Sequence, residues 1–220
     1  MSATPQPSIL ILGPTGAGKT PLGQLLASRG LWGVRCHHFD FGSELRRIAA
    51  SRRPPAALSS HDLKVVRMVL ASGTLLNERQ FGIALKTLKW FLSTHRVKPQ
   101  EIMILNGMPR HVGQAIKVER TLDVRLVIFL SCKDANVVRR IAGNTGGDRT
   151  GRLDDNKVDV AARLEVFRNK TLPLLAHYKQ KRVPVKRFRV EVDTDHRDTW
   201  QRLQKAKLGE RLILRSGGLR

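Results

Sequence analysis

Ile9-Leu10-Ile11-Leu12-Gly13-Pro14-Thr15-Gly16-Ala17-Gly18-Lys19-Thr20 is the stretch on which the reading of this chain turns. Four apolar residues predict a buried strand, and residues 13–20 match the phosphate-loop pattern G-x-x-x-x-G-K-[ST] in full. Gly13, Gly16 and Gly18 let the backbone turn tightly, so the N–H groups of a loop that also holds Thr15 and Ala17 form a nest for phosphate oxygens. Lys19 supplies a compact charge for the β and γ phosphates, and the Thr20 hydroxyl is suited to a magnesium shell. A helix beginning near Lys19 adds its positive dipole end to the same anion. The bland alternative is a glycine-rich turn that binds nothing. An eight-residue match directly after an apolar strand argues against it.

Composition sets the outer bounds. A chain of 220 residues is most simply one domain, large enough for a real core. Its 41% hydrophobic and 26% charged content is that of a soluble globular protein. The longest apolar runs, residues 9–12 and 126–130, are strand-length and far too short to cross a bilayer. Residues 1–8 lack the basic start and apolar core of an export signal. Cys36 and Cys132 stand apart, so neither a zinc site nor a disulfide framework is expected, and a cytoplasmic, reduced setting fits. The net charge of +22 points to polyanionic ligands. Most basic residues are spread along the chain, which suits a solvated surface plus phosphate-binding arginines in a cleft. Residues 179–189 and 202–220 are the exceptions, and nucleic acid or another polyanion is the weaker candidate there. With one Tyr and no RNA-type motif, stacking on bases lacks support.

In chain order, strands are expected at residues 9–12, 34–40, 101–105, 124–130 and 185–192. Helices are expected at 18–28, 44–50, from about 59 to Gly73, 78–94, 112–120, 134–141, 155–181 (bent near Pro173) and 197–207. This alternation predicts an α/β fold with a five-stranded parallel sheet covered on both faces. Ligands bind such sheets at the carboxyl ends of the strands, so Leu12, Asp40, Leu105 and Leu130 should converge on one site.

Several further segments, taken with the phosphate loop, resemble the short-lid type of the adenylate kinase family of nucleoside monophosphate kinases. They are His38-Phe39-Asp40-Phe41-Gly42-Ser43-Glu44-Leu45-Arg46, Ser72-Gly73-Thr74-Leu75-Leu76, and Asn106-Gly107-Met108-Pro109-Arg110 with Gln114. Arg140-Ile141-Ala142-Gly143, Gly151-Arg152-Leu153-Asp154-Asp155, Arg163-Leu164 and Thr171-Leu172-Pro173 follow in the family's order, so the likeness covers about residues 8–205. The resemblance implies the P-loop nucleoside triphosphate hydrolase fold, with a core at about 8–40, 100–142 and 155–208. It also implies a monophosphate-binding insertion at about 41–95, a short lid at about 143–154 and a basic tail at 209–220. The implied reaction is ATP + NMP = ADP + NDP with magnesium, carried out by a monomer with no membrane partner. Arg46 and Arg110 match arginines that hold the acceptor phosphate. Gln114 matches the side chain that reads the acceptor base, and Gly42, Gly73, Leu76 and Gly107 match its surroundings. Arg140 resembles the arginine beside the donor base, Arg152 and Arg163 resemble those that clamp the phosphates, and all three are expected to neutralise the moving charge.

Three departures are informative. The family's Asp-Gly-Phe-Pro-Arg is here Asn106-Gly107-Met108-Pro109-Arg110, which removes a carboxylate that orders water around magnesium. Asp40, at the neighbouring strand end, could replace it, or could simply cap the next helix. Phe41 stands where adenylate kinases have a Thr that touches the acceptor base, so the base is left open. Asn144 replaces a lid arginine, with Arg149 as a candidate substitute. Two other readings remain: a kinase of a small hydroxyl metabolite, resembling shikimate kinases, with Asp40 as base; and a nucleotide-binding, RNA-associated protein with little kinase activity.

Overall fold

The computed structural model describes residues 4–74, 76–147 and 157–206. Five strands, β1 (Gln6–Leu12), β2 (Cys36–Asp40), β3 (Ile102–Asn106), β4 (Leu122–Cys132) and β5 (Val185–Val190), form one sheet in the order β2-β3-β1-β4-β5. Every pairing is parallel. From β1 the chain runs out to β2 at the edge, returns to β3 beside β1, then crosses to β4 and β5 on the other side. The reversal leaves a crevice beyond the carboxyl end of β1, which is where the phosphate loop begins.

The near-continuous apolar strands reflect burial on both faces. Alternate residues serve the two sides: Leu10, Leu12, Met103, Leu105 and Val127 pack on one, Ile9, Ile11, Ile104, Leu126 and Ile128 on the other. The first side is covered by α2 (Phe41–Ala50), α3 (Ser60–Ser72), α4 (Phe81–Thr94), α5 (Val112–Val118) and α8 (Leu174–Gln180). The second is covered by α1 (Lys19–Arg29) and α9 (His196–Gln204). Helices α6 (Asp134–Ala142) and α7 (Lys157–Val166) share a smaller cluster of Val137, Val160 and Leu164.

Local signals are honoured closely. Ser59 and Asp62 form a reciprocal capping box at the start of α3. The expected 155–181 helix is instead interrupted. Within the described residues α7 ends at Val166, a π-helical turn spans Phe167–Thr171, and α8 starts after Pro173. Pro173 has no N–H and its ring crowds the preceding turn, so an uninterrupted α-helical ladder cannot pass through it. The Leu172 N–H bonds instead to the Phe167 carbonyl, five residues back, at 2.8 Å. No helix among the described residues is long and apolar enough to cross a membrane.

Gly30 ends α1 with φ 71° and ψ −177°, a region essentially reserved for glycine, and a Cβ there would lie 2.7 Å from the Val34 carbonyl oxygen. Gly73 ends α3 with φ 65° but has open space around it. Gly30→Ala is expected to cost about 2–4 kcal/mol and Gly73→Ala only about 1 kcal/mol. Urea unfolding of the two variants checks the order.

Candidate active site

The phosphate loop leaves β1 and enters α1 through Gly16 and Gly18, both left-handed at φ 73° and 87°. A side chain would be strained at either position, and such left-handed turns build the N–H nests that hold anions. The Lys19 ammonium arches back over the loop, donating to the carbonyls of Gly13 at 2.9 Å and Pro14 at 2.7 Å. Its charge is thereby held where a triphosphate would lie.

One carboxylate joins three elements beside this loop. Asp40 Oδ1 accepts the Ser43 N–H at 3.0 Å and so caps α2. Its Oδ2 accepts the Thr20 hydroxyl at 2.8 Å and the Asn106 amide at 2.7 Å, and Asn106 also donates to Thr20 Oγ1 at 3.1 Å. One Asp40 oxygen thus caps α2, and the other meets Thr20 and Asn106. Burial pushes the Asp40 carboxyl up, but the Ser43 and Thr20 hydrogen bonds, with His38 and Arg46 nearby, outweigh it and leave the group below its ordinary value. Asp40 is thus an anion at neutral pH. One carboxylate and one hydroxyl, both hard oxygen donors, suit a magnesium ion held mainly by nucleotide phosphates.

The acceptor-side candidates come together around the end of β3. Gly107, at φ 80°, turns the chain so that the Arg110 Nε–H donates to its carbonyl at 3.1 Å. Burial lowers the Arg110 guanidinium from its usual value, with Asp40 opposing and Arg163 reinforcing that shift. Like charges disfavour each other's ionised form, and a bound anion would offset that effect at Arg110. Arg46 lies beside Asp40 and donates to Ser43 Oγ at 3.0 Å. Gln114 is buried: its Oε1 accepts the Arg110 N–H at 2.8 Å and its Nε2 points to the Leu76 carbonyl at 3.4 Å. Phe41 is half-buried, 6.1 Å from the Phe39 ring and adjacent to Gly107. Gly42 sits beneath the Arg46 guanidinium.

Arg140 occupies a different setting from an exposed phosphate clamp. It is 4% exposed and donates to the Gly16 carbonyl at 2.9 Å and to those of Glu191, Val192 and Thr194 at 2.8, 2.9 and 3.1 Å. The guanidinium thereby ties the phosphate loop to the β5–α9 connection. A small pocket lies beside it, lined by Gly18, Pro21, Leu130, Thr194 and His196 among others. Sequence reasoning gave the β5–α9 connection no role, because its contribution is backbone carbonyls, which carry no side-chain signature. Arg149 and Arg152, with most of the expected lid, lie outside the described residues.

No family model matches the chain. Curated relatives do. It is 31% identical over 179 residues to the adenylate kinase of Synechococcus sp. (strain CC9902), covering 79% of this chain and 85% of the relative. It is 30% identical over 208 residues to that of Parasynechococcus marenigrum, covering 90% and 96%. The Rickettsia bellii adenylate kinase is 27% identical over 198 residues, covering 78% and 86%. The chain belongs to the adenylate kinase family. As a member it is a nucleoside monophosphate kinase, catalysing ATP-dependent phosphoryl transfer to a nucleoside monophosphate. The shikimate-kinase-like and non-enzymatic readings are accordingly disfavoured.

Because the native Asp40 carboxyl is more acidic than an unfolded one, its stabilisation is complete above the ordinary aspartate pKa and is lost as pH falls through the lowered native value. Asp40→Ala is therefore expected to cost about 1–3 kcal/mol at neutral pH, with the difference from wild type shrinking in acid. Urea titrations at a series of pH values measure this.

Proposed function

We propose that the acceptor is AMP and that the magnesium-shell carboxylate is Asp40. The observation that carries this reading is the meeting of the phosphate loop, Asp40, Arg110 and Gln114 at one end of the sheet. The Gln114 amide offers a donor beside the Leu76 carbonyl, an acceptor. That pair complements adenine, whose N1 accepts and whose N6 donates. Phe41 then supplies an apolar face to the base in place of a hydroxyl contact. Residues 41–95 act as the monophosphate-binding insertion and residues 143–154 as the lid.

Phosphoryl transfer between nucleotides is catalysed chiefly by positioning and by neutralising charge, and the acceptor phosphate is already an anionic nucleophile. Lys19 and the N–H groups of Gly13, Thr15, Gly16, Ala17 and Gly18 hold the donor phosphates. Arg46 and Arg110 hold the acceptor phosphate. Arg163, together with Arg149 and Arg152 of the lid, offsets the charge on the moving group. Arg140 shapes the donor side by fixing the wall of the base pocket against the loop. Thr20 and Asp40 would hold magnesium, Asp40 through water, and the ion supplies further neutralisation of phosphate charge when bound. Cys36 and Cys132 are unpaired, which supports a reducing, cytoplasmic setting.

A magnesium-dependent assay with ATP against AMP, CMP, UMP, GMP and dTMP tests the acceptor, and AMP is expected to give the highest kcat/KM. Lys19→Ala and Arg110→Ala are each expected to lower kcat by at least about 10²-fold without unfolding the protein. Wild-type turnover in either would defeat the assignment.

Asp40→Asn is expected to raise the magnesium concentration needed for half-maximal rate and to weaken magnesium-dependent ATP binding measured by calorimetry. Asp40→Asn combined with Asn106→Asp, which moves the charge back to β3, should recover part of both. Equal loss in the single and double variants would show that the carboxylate's position, and not merely its presence, is decisive.

A further inference from the structure

The nucleotide cleft accounts for only a small part of a net charge of +22. Residues 179–189 hold Lys179, Lys181, Arg182, Lys186, Arg187 and Arg189 without a single Asp or Glu. The structure gathers these six onto one lateral edge, and all are exposed. Lys179 lies in the last turn of α8, and Lys181 and Arg182 begin the turn into β5, with Arg182 in the left-handed region at φ 57°. Lys186, Arg187 and Arg189 then run along β5, the last strand in the sheet order. Arg187 and Arg189 share the face that meets Phe129 and Ser131, and the Arg187 guanidinium lies 5.2 Å from the Phe129 ring. On the opposite face Arg202 of α9 lies 5.1 Å from the Phe188 ring and extends the basic surface beside Lys186. At about 3.3 Å per residue the strand alone is about 20 Å long, and same-face neighbours are about 7 Å apart.

Among the described residues, only Lys181, with Glu119, and Arg189, with Glu191, are ion-paired. Lys179, Arg182, Lys186 and Arg187 have no carboxylate partner among the described residues. Protection of a sheet edge against unwanted pairing explains charges on β5, but not those on the turn before it. A membrane-surface role calls for apolar residues that insert among lipids. The exposed large apolar residues (Met68, Ile116, Val138, Val166 and Leu172) all lie outside this stretch.

We propose that the α8–β5 turn and the β5 edge bind the phosphodiester backbone of nucleic acid, without reading its sequence. Guanidinium forks and ammonium groups on a linear track match regularly spaced phosphates. No aromatic side chain in the stretch is exposed for stacking on bases, which leaves backbone contacts and counterion release as the source of affinity. The α8–β5 turn lies at the end of the sheet opposite the nucleotide cleft, and the four cations without a carboxylate partner all lie in that turn or in the first half of β5.

The test is fluorescence anisotropy of the full chain with a labelled 20-nucleotide single-stranded RNA at several salt concentrations, with single-stranded and duplex DNA of the same length as parallel arms. Wild type is expected to bind all three in a salt-dependent way. Changing Lys179, Lys186 and Arg187 to Ser and Arg182 to Asn should weaken RNA binding at least about tenfold at low salt. The slope of log K against log salt should fall in magnitude by about 3, for four lost single-strand contacts at about 0.7 each. Nucleotide kinase activity should be unchanged, which also reports that the variant is folded. Should the fourfold variant not fold, Lys179→Gln with Arg182→Asn leaves β5 untouched and should give about half the slope change.

A matched variant carrying Ser at Arg52, Arg53, Lys64 and Arg67 removes the same charge from another exposed region. Equal weakening by that control would overturn the proposal in favour of diffuse attraction. So would displacement of RNA by ATP at matched ionic strength, which would place the RNA in the cleft. Tighter binding to phosphatidylserine vesicles than to RNA, or self-association of the edge variant without loss of RNA binding, would overturn it as well.

Discussion

A single carboxylate, that of Asp40, binds together the parts of this enzyme that must meet. Its two oxygens hold the first turn of α1 through Thr20, the first turn of α2 through the Ser43 N–H, and the end of β3 through Asn106. Those elements carry the phosphate loop, Arg46, and the turn that leads to Arg110. Hydrogen bonds to a charged group are worth about 1.5–3 kcal/mol each, more than neutral ones. They also hold the carboxylate ionised despite its burial. The relative placement of the phosphate loop, α2 and the end of β3 thus depends on a charge that its neighbours stabilise.

The surrounding cleft is built the other way, from cations held near one another. Arg110 and Arg163 act on each other electrostatically, and Lys19 is turned back onto loop carbonyls. Cations near one another favour a bound anion, and phosphoryl transfer between nucleotides relies on such charge neutralisation. Arg140 belongs to the frame and not to this set. With four carbonyl acceptors it stiffens the junction of the phosphate loop with the β5–α9 connection, so a buried guanidinium substitutes for missing secondary structure. The basic edge at β5 is separate again, because its charges face solvent and lie along the flank of the sheet.

Much of the fold was legible in the chain. Residues 9–20 announced a strand, a phosphate nest and a helix; Ser59 with Asp62 announced the start of α3; and Gly30 announced the end of α1. These signals are local, set by backbone conformations that particular residues permit or forbid. The break of the expected 155–181 helix was harder to place, since Pro173 indicates a disruption but not the π-helical turn that absorbs it. Arg140 was recognisable as a conspicuous arginine near the donor side. Its partners are main-chain carbonyls some fifty residues away, and no residue type encodes a carbonyl's availability.

The sequence by itself determined the strand and helix order, the phosphate loop and the kind of chemistry, because each follows from short-range pattern and residue type. Tertiary structure decided which groups share a cleft or a surface. It gave Asp40 both a cap and a place between Thr20 and Asn106, oriented Gln114 between Arg110 and Leu76, and moved Arg140 into the frame. It also turned a run of basic residues into a continuous edge. The physical reason is the same in each case. Hydrogen bonding and electrostatics act through space over a few ångströms, and only the parallel crossovers of the sheet bring residues so distant in the chain within that range.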